Sequence, residues 1–94
     1  MTDRQAIRVR IHGRVQGVWF RKWTEETARA KGLTGWVRNR EDGTVEALLI
    51  GEAAAVADMV VACHEGPPLV CVEQVDQEPA RGIAPARFEV KPTV

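Results

Sequence analysis

Ile7, Val9 and Ile11 alternate with Arg8, Arg10 and His12, the two-residue period of a strand with one face buried. Gly13 to Gly17 break that pattern. From Arg21 to Lys31 the period lengthens to that of a helix, with Phe20, Trp23, Thr27 and Ala30 at helical spacing. Lys22–Glu26 and Glu25–Arg29 are candidate i,i+4 ion pairs, and Gly32 suits the left-handed residue after a helix end. Gly35 to Asn39 predict a second strand, Glu41-Asp42-Gly43 a hairpin turn, and Val45 to Ile50 a third strand. Residues 52–64 read as a second helix. Val56, Met59, Val60 and Cys63 share one of its faces, Glu52 falls in its first turn and His64 in its last. Gly66 and Pro67-Pro68 stop it. Val70, Val72 and Val75 supply a fourth strand; a polar loop with Pro79, Gly82 and Pro85 leads to Phe88 and Val90, a short fifth.

The order βαββαβ, plus a terminal strand, predicts an α+β ferredoxin-like sandwich, two helices on one face of an antiparallel sheet. Residues 1–94 are expected to form a single domain, since this length leaves too little chain for a second core. A helix joins strands one and two, so the two run the same way and end on the same rim. The loop 13–20 and Asn39 should therefore meet in space.

Composition narrows the class. A hydrophobic share of 45 % suits a globular chain, and no apolar run approaches the roughly 20 residues of a membrane span. The opening residues lead straight into a strand pattern without an apolar leader segment, so a cytoplasmic protein is expected. Cys63 and Cys71, with two scattered histidines, cannot supply a zinc site; they are expected to be reduced thiols in the core. Net charge is zero, yet ten of the 13 Lys and Arg fall in residues 1–40 and ten of the 13 Asp and Glu after them. The first half can present an anion site, although cross-strand neutralisation would also account for the asymmetry.

That possibility centres on residues 13–22, which hold Arg14, Arg21 and Lys22 and no acid. A helix N-terminus is already positive, so cations gathered there are unfavourable unless an anion sits among them. Glycines let the loop curl, and free N–H groups of the loop and first turn add donors. A plain strand-to-helix turn with solvated arginines is the competing reading. The loop is neither a Walker A nor a dinucleotide-binding fingerprint.

The run His12-Gly13-Arg14-Val15-Gln16-Gly17-Val18-Trp19-Phe20-Arg21 is followed by Gly32-Leu33-Thr34-Gly35-Trp36-Val37-Arg38-Asn39 and by Asp42-Gly43-Thr44-Val45-Glu46. Together these resemble the acylphosphatase signature, and the likeness continues through Gly66-Pro67-Pro68 to Phe88-Glu89-Val90. The resemblance implies metal-independent hydrolysis of the carboxyl-phosphate bond of acyl phosphates, with inorganic phosphate as product and no cofactor. It implies Arg21 as the phosphate-binding arginine and Asn39 as the residue orienting the attacking water. The backbone of Val15, Gln16, Gly17, Val18, Trp19 and Phe20 would form the phosphate cradle. Trp19 stands where other aromatics are often found, and Arg40 follows Asn39 where a small hydroxyl residue can occur; both bear on substrate preference.

The chemistry is within reach of those residues. A carboxylate leaving group has a pKa of about 4 and needs no general acid. The loose phosphoryl transition state asks for charge neutralisation and an aligned nucleophile. Cys63, on the second helix without a flanking motif, is a poor nucleophile candidate. Trp23 and Trp36 are expected in the core, Arg38 and Arg40 as solvated edge residues, and the acids after Glu41 as a solvated face. His12 is expected to be hydrogen-bonded at the surface. The competing functions are a non-catalytic phosphate or carbamoyl-phosphate binding module of the same fold and an RNA binder. The first would need the loop but not Asn39; the second lacks an RNP1-like run. A monomer without nucleic acid or membrane partners is expected.

Overall fold

The computed structural model describes residues 3–17, 19–81 and 85–94. Its elements follow the expected order: β1 (Arg4–Arg14), α1 (Phe20–Ala30), β2 (Thr34–Asn39), β3 (Val45–Glu52), α2 (Ala53–Glu65), β4 (Cys71–Pro79) and β5 (Phe88–Val90). The sheet runs β4-β1-β3-β2-β5. β1 lies antiparallel between β3 and β4, and pairing on both edges carries it beyond the alternating stretch 7–12. β5 differs from expectation. It pairs with β2 in parallel, so the sheet is mixed.

Both helices cover one face. Val9 and Ile11 of β1, Val37 of β2, Val45, Ala47 and Leu49 of β3 and Phe88 of β5 meet Phe20 and Ala28 of α1 and Val56, Met59, Val60 and Cys63 of α2 in one buried cluster. The α2 face is the one its period predicts. That of α1 is rotated: Phe20, Thr24 and Ala28 are buried while Ala30 is exposed. Thr24 sits in the core because its hydroxyl donates to the Phe20 carbonyl at 2.8 Å, which leaves no bare polar atom there. The helix ends in a Schellman motif. Leu33 N–H donates to the Ala28 carbonyl at 2.9 Å and Gly32 N–H to that of Arg29 at 3.0 Å, with Gly32 at φ +76°.

Several side chains sit elsewhere than expected. Lys22 pairs with Glu25 at 3.2 Å rather than with Glu26, while Arg29 reaches Glu25 at 3.4 Å as expected. Glu52 is the extended N-cap residue of α2, ahead of its first turn. Along β2, Gly35, Val37 and Asn39 are the buried positions, so Trp36 faces away from the core. Its ring is covered by the Arg38 guanidinium at 4.5 Å and by Lys91 Nζ at 5.6 Å. Glu46 is not on a solvated acidic face but only 4 % exposed. Cys63 is buried as expected, whereas Cys71 is exposed. His12 bonds Asp76 at 2.9 Å at the surface, as expected.

Candidate active site

β1 and β2 end on one rim of the sheet, and the polypeptide between them is bent to form a cavity there. At the end of β1 the register with β4 shifts between His12 and Gly13. Gly13 has φ +130°, and a Cβ on it would lie 2.0 Å from the Cys71 carbonyl oxygen. Only glycine fits this bulge, which turns the chain toward the helices. Gly17, at φ +75°, and Trp19, at φ 67° and ψ 15°, complete the curl before α1. The first helical turn, Phe20 to Lys22, contains no acid, and Trp19 gives no side-chain cap. No described side chain caps its N–H groups, and its residues Phe20, Arg21 and Lys22 border the cavity.

The cavity, of about 420 Å³, is lined by Val15, Gly17, Trp19, Phe20, Arg21, Lys22, Asn39 and Val90. Arg21 and Asn39, eighteen positions apart in sequence, share it. Among the described residues Arg21 has no ion-pair or side-chain hydrogen-bond partner. Asn39 is 9 % exposed, and its Oδ1 is buried without a hydrogen-bond partner among the described residues. A buried amide oxygen left bare costs about 1–3 kcal/mol, which sets Asn39 apart among the residues that line the cavity.

The supporting contacts are specific. Gln16 turns its side chain away from the cavity, and its Nε2 donates to the carbonyls of Arg40 and Thr44, each at 2.8 Å. That ties the loop to the β2–β3 hairpin. The hairpin is closed by Asp42, whose Oδ1 accepts from the Thr44 amide at 3.0 Å and from its hydroxyl at 2.6 Å. These bonds hold the Asp42 carboxyl below the usual carboxylate range. Behind Asn39, the Val94 amide donates to the Asn39 carbonyl at 3.1 Å, and the Glu41 amide donates to the Val94 main-chain oxygen at 2.7 Å.

Arg38 and Arg40 are partly exposed, as edge residues would be, but both are paired with Glu46. Arg38 Nε donates to Glu46 at 2.8 Å and Arg40 Nη1 at 3.0 Å, with Arg10 at 3.7 Å from the other carboxylate oxygen. Burial by itself raises the Glu46 carboxyl; the hydrogen bonds and charge of Arg38 and Arg40 outweigh it, and the group lies below its ordinary value. A second cavity, on the open sheet face, is lined by Arg8, Arg10, His12, Glu46, Asp76 and Glu78 among others. Its charges pair with one another, as in Arg8 Nε to Glu78 at 2.9 Å, and it offers no free cation comparable to Arg21.

Of the residues singled out from the sequence, Val15, Gly17, Trp19, Phe20, Arg21 and Asn39 line the cavity. Gln16 braces it, and Val18 lies outside the described residues. Arg14 ends β1 and is absent from the lining, so the cations crowded there reduce to Arg21 and a Lys22 partly engaged by Glu25. Val90 was not foreseen. It reaches the site because β5 lies beside β2, a parallel pairing no local pattern announces.

Fold and cavity define a small ferredoxin-like α+β protein with a cavity on the rim of its sheet that holds Arg21 and Asn39. The family model for acylphosphatase matches residues 7–90. An acylphosphatase from Rhizorhabdus wittichii is 49 % identical over 92 residues, covering 98 % of this chain and 93 % of that one. Among solved structures, an acylphosphatase from Coxiella burnetii superimposes with a TM-score of 0.91 at 34 % identity, covering 95 % of this chain and 94 % of the other. The acylphosphatase from Bacillus subtilis gives 0.87 at 36 % identity, covering 92 % and 97 %. The chain belongs to the acylphosphatase family, and with it to the hydrolases.

Proposed function

We propose that the rim cavity hydrolyses the carboxyl-phosphate bond of acyl phosphates, with Arg21 binding the phosphoryl group and Asn39 orienting water. The observation that carries this reading is the pairing, in one cavity, of a guanidinium and a buried amide oxygen that are both without a partner among the described residues. Arg21 offers a planar fork for two phosphate oxygens, and the N–H groups of the loop and first turn of α1 supply further donors. Asn39 Oδ1 accepts a hydrogen bond from water and aims the water oxygen at phosphorus, and being neutral it does not repel the phosphate.

Attack by that oxygen forms the new P–O bond as the bond to the acyl oxygen breaks, and its electron pair leaves on the carboxylate. The water proton passes to phosphate oxygen and solvent. Since the leaving carboxylate has a pKa of about 4, no protonating group is required. No carboxylate or imidazole lines the cavity among the described residues. The work falls to charge and alignment. The same reading has the backbone of residues 15–20 as the cradle, no cofactor, and a one-domain monomer acting in the cytoplasm without nucleic acid or membrane. No described helix is long and apolar enough to cross a membrane.

Phosphate release from acetyl phosphate, measured with chelator present, tests the reading. Release well above the spontaneous rate is expected; none would leave a phosphate-binding module.

A further inference from the structure

Trp19 bears two costs at once. It is 82 % exposed, and its backbone is left-handed at φ 67°, a region that non-glycine residues enter only against steric resistance. Among the described residues only Leu69 shares both features, and Leu69 is not on the cavity. A single exposed apolar side chain needs no explanation. A strained one, held at the mouth of a cavity beside a free guanidinium, points to a ligand it meets.

The cavity divides by chemistry. Arg21, Lys22 and the buried Asn39 oxygen make its polar part; Trp19 and the 42 % exposed Val90 give it an apolar rim. Its volume, about 420 Å³, falls in the range of about 300–1,000 Å³ typical of organic ligands, far beyond the needs of phosphate alone. Resting on the reading of this cavity as an acyl-phosphate site, we infer that Trp19 and Val90 form the wall that receives the acyl group and select planar, apolar acyl groups such as aryl carboxylates. The indole face stacks on the acyl plane while Arg21 holds the phosphate end. Lys22 does not invite an anionic acyl group, because its ammonium is engaged by Glu25 at 3.2 Å.

Two comparisons test this, using the wild type, Trp19→Asn, whose side chain tolerates the left-handed backbone, and Trp19→Phe. The first is the ratio of kcat/KM for benzoyl phosphate to that for acetyl phosphate. It should exceed about tenfold in wild type, fall by about tenfold in Trp19→Asn and be largely kept in Trp19→Phe. The second is binding of benzoylphosphonate and acetylphosphonate, whose carbon–phosphorus bond resists hydrolysis; the affinity ratio should follow the same order. Equal affinity of the wild type for both phosphonates, or a ratio unchanged by Trp19→Asn, overturns the inference. Selective phosphonate binding with neither acyl phosphate turned over would retain the acyl wall and discard the hydrolytic reading of the site.

Discussion

Arg21 and Asn39 share one cavity but should fail differently when altered. Arg21→Ala is expected to lower kcat/KM by about a hundredfold or more, the loss of charge-assisted bonds at a developing charge. Arg21→Lys should recover little, because an ammonium cannot reproduce a two-pronged contact. Asn39→Ala should lower kcat while phosphate affinity stays near that of wild type, as measured by competitive inhibition. Asn39→Ala losing phosphate affinity as well would make Asn39 a phosphate ligand. The two thiols also separate at this scale. Burial pushes the Cys63 thiol up to about 12, so it should resist a thiol reagent until the chain unfolds, while exposed Cys71 reacts at once. Counting modified sulfurs with and without urea decides it.

At the scale of elements, the tie between loop and hairpin can be cut by one substitution. Gln16→Met removes the donor to the Arg40 and Thr44 carbonyls while keeping the length of the side chain. It should cost about 1–3 kcal/mol in urea unfolding, the cost of leaving part-buried acceptors unmet, and raise KM as the cradle loosens. An unchanged KM with lowered stability would make Gln16 a structural brace alone. Gln16 also shows where reading the sequence runs out. Strand and helix periods report which residues face the core, and the α2 stripe of Val56, Met59, Val60 and Cys63 was legible for that reason. The partners of Gln16 lie 24 and 28 residues away, and no period encodes a bond of that kind. Trp36 and Glu46 fail on the same ground. An apolar periodic position suggested core for one and an acidic stretch solvent for the other; the phase of β2 and the arginines around Glu46 reversed both. Arg21 and Asn39 were legible because a motif carried them, and topology then explained why they meet.

For the whole molecule, inorganic phosphate should stabilise the fold through the rim cavity. Phosphate at ten times its dissociation constant adds about 1.4 kcal/mol, and for a domain this small each kcal/mol moves Tm by about 4–8 °C. Chloride at equal ionic strength is the control, and Arg21→Ala should lose the phosphate-specific shift. Equal shifts in both proteins would place the anion elsewhere. Stability should also depend on pH through Glu46. Its carboxyl lies lower in the folded chain than in the unfolded one, so its contribution is complete above the ordinary Glu range. It is lost as pH falls through the folded value. Glu46→Gln should therefore cost about 2 kcal/mol near neutrality, and the gap to wild type should close in acid. A gap independent of pH would mean that packing, not charge, is what Glu46 contributes. The main-chain clasp on Asn39 has a consequence in time. A ribosome delivers the loop of residues 13–20 early and Asn39 soon after, but the amide that holds the Asn39 carbonyl belongs to Val94. Sheet and helices can gather as synthesis proceeds, while the corner at Asn39 waits for Val94, far downstream, to emerge and be laid beside β2. On the role proposed for Asn39, catalytic competence would then follow compactness, as a separate and later event in the birth of each molecule.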